Sequence, residues 1–122
     1  MYPLRQHSFS KEYWYSKTKD FQILNICSEL QRAQNWIEKA KDELVNSCYD
    51  RALELIDLTR EDPKWNKQLR ELSRSREYLA ILRLRPVKNG PQNYSLFRNL
   101  VLLDAKAEQL LKPKRHYQML TS

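Results

Sequence analysis

Residues 20–44 read DFQILNICSELQRAQNWIEKAKDEL, with apolar positions Ile23, Ile26, Leu30, Ala33, Ile37, Ala40 and Leu44 recurring at steps of three and four. That spacing is the 3.6-residue period of an α-helix with one buried face. It continues through Cys48, Ala52 and Leu55. A single helix over residues 20–60 would be about 60 Å long at 1.5 Å per residue, roughly twice the width of a compact domain of this size. A break is therefore expected, and Ser47-Cys48-Tyr49-Asp50 reads as a capping box that puts it at residues 45–47.

Downstream, Asp62-Pro63 is a helix-start signal, with Asp62 as N-cap and Pro63 at the first helical position, where its missing N–H costs nothing. The helix it opens carries Trp65, Leu69, Leu72, Leu79 and Leu82 inward and must stop before Pro86. Residues 85–93, with Pro86, Gly90 and Pro91, form the expected loop. A last helix is expected over residues 94–111, burying Phe97, Leu100, Val101, Leu103, Ala107, Leu110 and Leu111 and ending before Pro113. The chain has one glycine and five prolines, and the prolines stand at its ends or between long uninterrupted stretches. A sheet would need many more glycine turns. The expected fold is all-α, an antiparallel bundle of about four helices over residues 20–111. An aromatic and basic arm over residues 1–19 precedes it, and a basic tail over residues 112–122 follows.

At 122 residues this is one domain, able to bury about 65% of its unfolded surface. Apolar residues make up 41% and charged residues 30%, which separates it from disordered chains. No apolar run approaches the roughly 18 residues of a membrane span. The N-terminus lacks the apolar core of a signal peptide, so an intracellular, cytoplasmic chain is expected. Cys27 and Cys48 fall on the apolar helical spacing, where free cysteine behaves as a small buried hydrophobe.

Charge is unevenly spread. Through Asp62 there are nine Lys/Arg against eleven Asp/Glu, a balance of −2; from Pro63 onward there are thirteen against four, a balance of +9. A positive field of this kind favours a polyanion partner, DNA or RNA, through contacts to the phosphate backbone. The helix after Pro63 concentrates Lys64, Lys67, Arg70 and Arg74, with Lys67, Arg70 and Arg74 on one face. Arg83, Arg85 and Lys88 stand at its end and in the following loop, from which they can reach outward, and Lys114 lies in the tail. These eight residues are the expected phosphate contacts. The preceding segment repeats Asp50, Glu54, Asp57 and Glu61 at steps of four, three and four, so antiparallel neighbours can zip part of this charge internally. In the arm, Tyr13, Trp14 and Tyr15 beside Lys11 and Lys17 are suited either to stacking unpaired bases or to packing.

Catalysis finds no support. His7 and His116 lie near opposite ends, and there is no glycine-rich phosphate loop, His-Glu-x-x-His or Cys-x-x-Cys. Residues 36–44, WIEKAKDEL, resemble the first helix of HEPN-type helical ribonucleases. That family carries an Arg and a His separated by four to six residues, whereas Gln109, Leu110 and Leu111 stand at the matching positions before His116. The resemblance therefore implies a helical fold and no nuclease activity. A non-catalytic accessory protein without metal or cofactor is expected, with a protein-interaction module or homo-oligomer as the alternative.

Overall fold

The computed structural model describes residues 10–111; Lys114 and the rest of residues 1–9 and 112–122 lie outside them. Between Lys11 and Val101 run six helical elements, and no strand occurs among the described residues. They are α1 (Lys11–Tyr15), α2 (Lys19–Glu38), α3 (Asp42–Arg60), a 3-10 helix (Pro63–Gln68), α4 (Leu69–Leu84) and α5 (Gly90–Val101). Helical turns resume over residues 105–111.

The break in the first long pattern falls at residues 39–41, not at 45–47. Ser47 lies inside α3, where its hydroxyl donates to the Glu43 carbonyl at 3.1 Å and caps no helix start. What ends α2 is Ala40, the one non-glycine residue with positive φ among the described residues, at 55°. Lys41 N–H donates back to Trp36 O at 2.9 Å and Ala40 N–H to Ile37 O at 3.0 Å, the paired bonds of a Schellman cap. Glycine usually takes that left-handed position. Alanine there leaves no compositional mark of a helix end.

Other boundaries follow local chemistry. Thr18 caps α2 by accepting from Phe21 N–H. Asp62 accepts from Lys64 N–H at 3.1 Å, as its place before Pro63 requires, but the first turns are 3-10 and α4 begins at Leu69. Arg85 is extended before Pro86 and ends α4. The expected loop is shorter than its composition suggests, because Asn89 caps α5 through Gln92 N–H at 2.8 Å and Gly90-Pro91 open the helix. The last expected helix is interrupted at residues 102–104.

Helices α2 and α3 pack together, as do α3 and α4, α4 and α5, and α5 and α2, closing a ring. Side-chain pairs set an antiparallel register at three of these seams. Glu29 meets Arg51 and Gln22 meets Asp62 across α2–α3; Asp57 meets Arg76 and Asp50 meets Arg83 across α3–α4. Gln68 reaches Leu103 and Arg85 reaches Gln92 at opposite ends of the α4–α5 seam. Inside the ring lie Ile23, Ile26, Leu30, Val45, Ile56, Leu72, Leu79 and Leu100, all fully buried.

Ahead of α2, α1 anchors to this core through one side chain. Trp14 is fully buried, and its indole N–H donates to Thr59 at 3.0 Å. Gln22, also fully buried, donates to Trp14 O and to Asp62 while accepting from the Trp65 indole at 2.7 Å. Both tryptophans thereby bury their polar edge with a partner, as buried indoles require. Trp14 is unavailable for base stacking; Tyr13 remains exposed with the Lys17 ammonium 4.6 Å from its ring centre.

Candidate nucleic-acid interface

Of the eight expected phosphate contacts, the seven among the described residues separate into residues engaged by the fold and residues left free at the surface. Arg83 forks onto Asp50, Nε to Oδ1 at 2.7 Å and Nη2 to Oδ2 at 3.3 Å, and this pairing raises its pKa further. One turn pair away, Arg76 grips Asp57 in the same manner. The acidic and basic stripes thus zip along α3–α4 at Asp50 and Asp57, whereas Glu61 pairs with Lys11 of α1 at 2.6 Å. Lys88 donates to the carbonyls of Leu82, Arg83 and Arg85, closing the C-terminal end of α4, where carbonyls lack helical partners. Burial first, and then the Arg83 charge, push its pKa down. Lys64 is drawn onto Asp62 and Tyr15 O.

Lys67, Arg70, Arg74 and Arg85 stay exposed. Arg85 donates to the Gln92 side chain at 2.9 Å. Arg70 and Arg74 make no ion pair with any described residue. Arg74 lines a groove of about 370 Å³ in the α4–α5 seam with Ser75, Tyr78, Ser95, Leu96 and Asn99. A guanidinium, hydroxyls and an amide line this groove, with no carboxylate among them. The residues of α5, GPQNYSLFRNLV, include no acid at all, although Glu71 and Glu77 are exposed on α4. The neighbouring α3–α4 groove, about 710 Å³, is larger, but its carboxylates, Asp57, Glu61 and Glu77, outnumber its cations, Arg60 and Arg76, both of which are held on Asp57.

A further constellation escaped the reading by charge counts. Arg51 is 2% exposed and Glu29 5% exposed, and they pair across α2–α3 at 2.9 Å. Arg32 joins the same carboxylate at 2.9 Å. The signal was present: Arg51 stands on the apolar spacing of Cys48 and Leu55, and Glu29 on that of Ile26 and Ala33. Opposite charges on facing apolar stripes mark a buried pair.

Cys27 and Cys48 are both buried free thiols. Burial pushes Cys27 up to about 12 and raises Cys48. No group of three or more metal-ligating side chains occurs among the described residues. No described helix is long and apolar enough to cross a membrane. No family model, curated protein or solved structure matches this chain.

Proposed function

We propose that this protein is a non-catalytic, cytoplasmic nucleic-acid-binding accessory protein, a four-helix bundle whose α4 ridge and α4–α5 groove contact the phosphate backbone. The carrying observation is the exposed pair Arg70 and Arg74 beside a groove lined by hydroxyls and an amide with no carboxylate. Lys67 extends the row into the 3-10 helix, and Arg85 and Lys114 are outlying contacts. Arg83, Lys88 and Lys64 already spend their charge inside the fold, so they contribute less than their place in the sequence suggests. Such contacts position a strand without reading bases.

Fluorescence anisotropy with labelled single- and double-stranded DNA and RNA across several salt concentrations tests this. Each duplex phosphate contact contributes about −0.9 to the slope of log affinity against log salt. Replacing Lys67, Arg70 and Arg74 together by Gln should lower the magnitude of that slope by about 2 to 3. Unchanged affinity and slope in the triple variant would remove the site.

The second reading, a protein-interaction module or homo-oligomer, has its own observation. Ile81 and Leu84 at the far end of α4 and Val87 just beyond it are 49%, 81% and 76% exposed. Concentration-dependent mass in light scattering, abolished by Leu84→Glu, would favour it.

A further inference from the structure

The α2–α3 seam lies across the ring from the α4–α5 groove and holds a second, equally open cavity, of about 490 Å³. Ser28, Gln31, Arg32, Asn35, Trp36 and Arg51 form most of its wall, and no carboxylate lines it. Behind it a smaller cavity of about 130 Å³ shares Ser28, Arg32 and Arg51 and reaches Glu29 and Glu54. We propose that the larger cavity binds a small molecule that joins an anionic group, phosphate or carboxylate, to a planar ring.

Stability gives no reason for the charges found here. Burying an arginine and a glutamate between two helices carries a desolvation penalty that their attraction rarely exceeds, and apolar replacements at such sites are often neutral or stabilising. The arrangement makes sense as preorganisation. Glu29 receives Arg51 through Nε at 3.0 Å and through Nη2 at 2.9 Å, and Arg32 through Nη1 at 2.9 Å. Arg51 Nη2 also reaches Cys48 Sγ at 3.4 Å. These bonds lock the Arg51 fork in one orientation and leave Arg32, tied to Glu29 through Nη1, as the arginine that faces solvent.

Arg32 is the ligand-facing member. Its side chain is 56% exposed, and among the described residues its one hydrogen bond is the Nη1 contact to Glu29. Most of its five N–H donors are left for an oxyanion, which a guanidinium fork holds in bidentate fashion. The half-buried Trp36 supplies a flat apolar wall. Ser28, Gln31 and Asn35 add short polar groups that can orient a ring substituent. The volume falls in the range of about 300–1,000 Å³ typical of small-molecule sites.

The test uses the full chain with phenyl phosphate, adenosine monophosphate, benzoate and inorganic phosphate, read by thermal shift and by acrylamide quenching of tryptophan. Trp14 and Trp65 are fully buried, so quenching reports Trp36. At least one ringed anion should raise the melting temperature and shield Trp36 at concentrations where inorganic phosphate does neither. Phenyl phosphate against benzoate separates phosphate from carboxylate recognition. Arg32→Gln should weaken binding about tenfold or more while leaving the unliganded melting temperature within a few degrees. No ringed anion binding at low millimolar concentration overturns the proposal. Binding that survives Arg32→Gln, or shielding that persists in Trp36→Phe, overturns it as well.

Discussion

Replacing Ala40 by Gly should stabilise the protein, although Ala40 sits between two helices and glycine is ordinarily a helix breaker. Its φ of 55° places Cβ against the following carbonyl, a conformation that costs an L-residue about 1–2 kcal/mol. Glycine removes that cost. Against it stands the greater freedom of the unfolded chain, worth about 0.4–1 kcal/mol. Ala40 is exposed, so losing its methyl gives up almost no buried surface, and the two Schellman bonds run from backbone N–H groups that glycine keeps. The balance is a gain of about 0.5–1 kcal/mol. With an unfolding entropy of about 2.1 cal/mol/K per residue, this raises the melting temperature by about 2–4 °C. Ala40→Val should move it the other way by a similar amount, because a β-branched side chain tolerates positive φ least. Differential scanning calorimetry of the three proteins decides the matter. A melting temperature unchanged or lowered in Ala40→Gly would refute the left-handed cap and, with it, the position of the α2–α3 turn.

Three further outcomes can be measured. Burial alone would raise the Asp62 carboxyl, but hydrogen bonds from Gln22 and Lys64 outweigh it and hold the pKa below the ordinary value. A depressed folded pKa contributes stability above the unfolded value of about 3.9 that is lost as pH falls through the folded one. Asp62→Asn should therefore cost about 1 kcal/mol at neutral pH, and its melting temperature should drop less than that of the parent on acidification below about pH 4; parallel curves would contradict this. Arg83→Gln breaks a half-exposed pair with Asp50, so it should cost at most about 1 kcal/mol and leave the salt slope of nucleic-acid binding unchanged. A clear fall in that slope would return Arg83 to the interface. Cys27 and Cys48, both buried with raised thiol pKa values, should resist Ellman's reagent at pH 8 in the folded protein and react fully in guanidinium chloride. Rapid labelling of the native protein would contradict their packing.

Much of the fold was legible because it rests on local chemistry. The spacing of Ile23, Ile26, Leu30 and Ala33 defines the buried face of α2, and all four are fully buried. Asp62-Pro63 and Pro86 act through a side-chain cap and a steric clash within one or two residues, so they mark the 3-10 entry to α4 and its end without help from the rest of the chain. The turn at Ala40 was hidden because an alanine accepts the left-handed conformation only when packing on both sides of it repays the strain.

The fate of the charges was the part that tertiary structure alone decided. By itself the sequence pointed to an all-helical chain and a positive C-terminal half, with Arg70 and Arg74 among its expected contacts. It could not separate them from Arg83 or Lys88, since that depends on which residue of α3 faces which residue of α4. The antiparallel register pairs Asp50 with Arg83 and Asp57 with Arg76, folds Lys88 onto the end of α4, and brings Arg51 against Glu29. Helical periodicity constrains a residue's direction around its own axis. Only the seating of one helix against another determines whether a charge meets water, a carboxylate or a cavity.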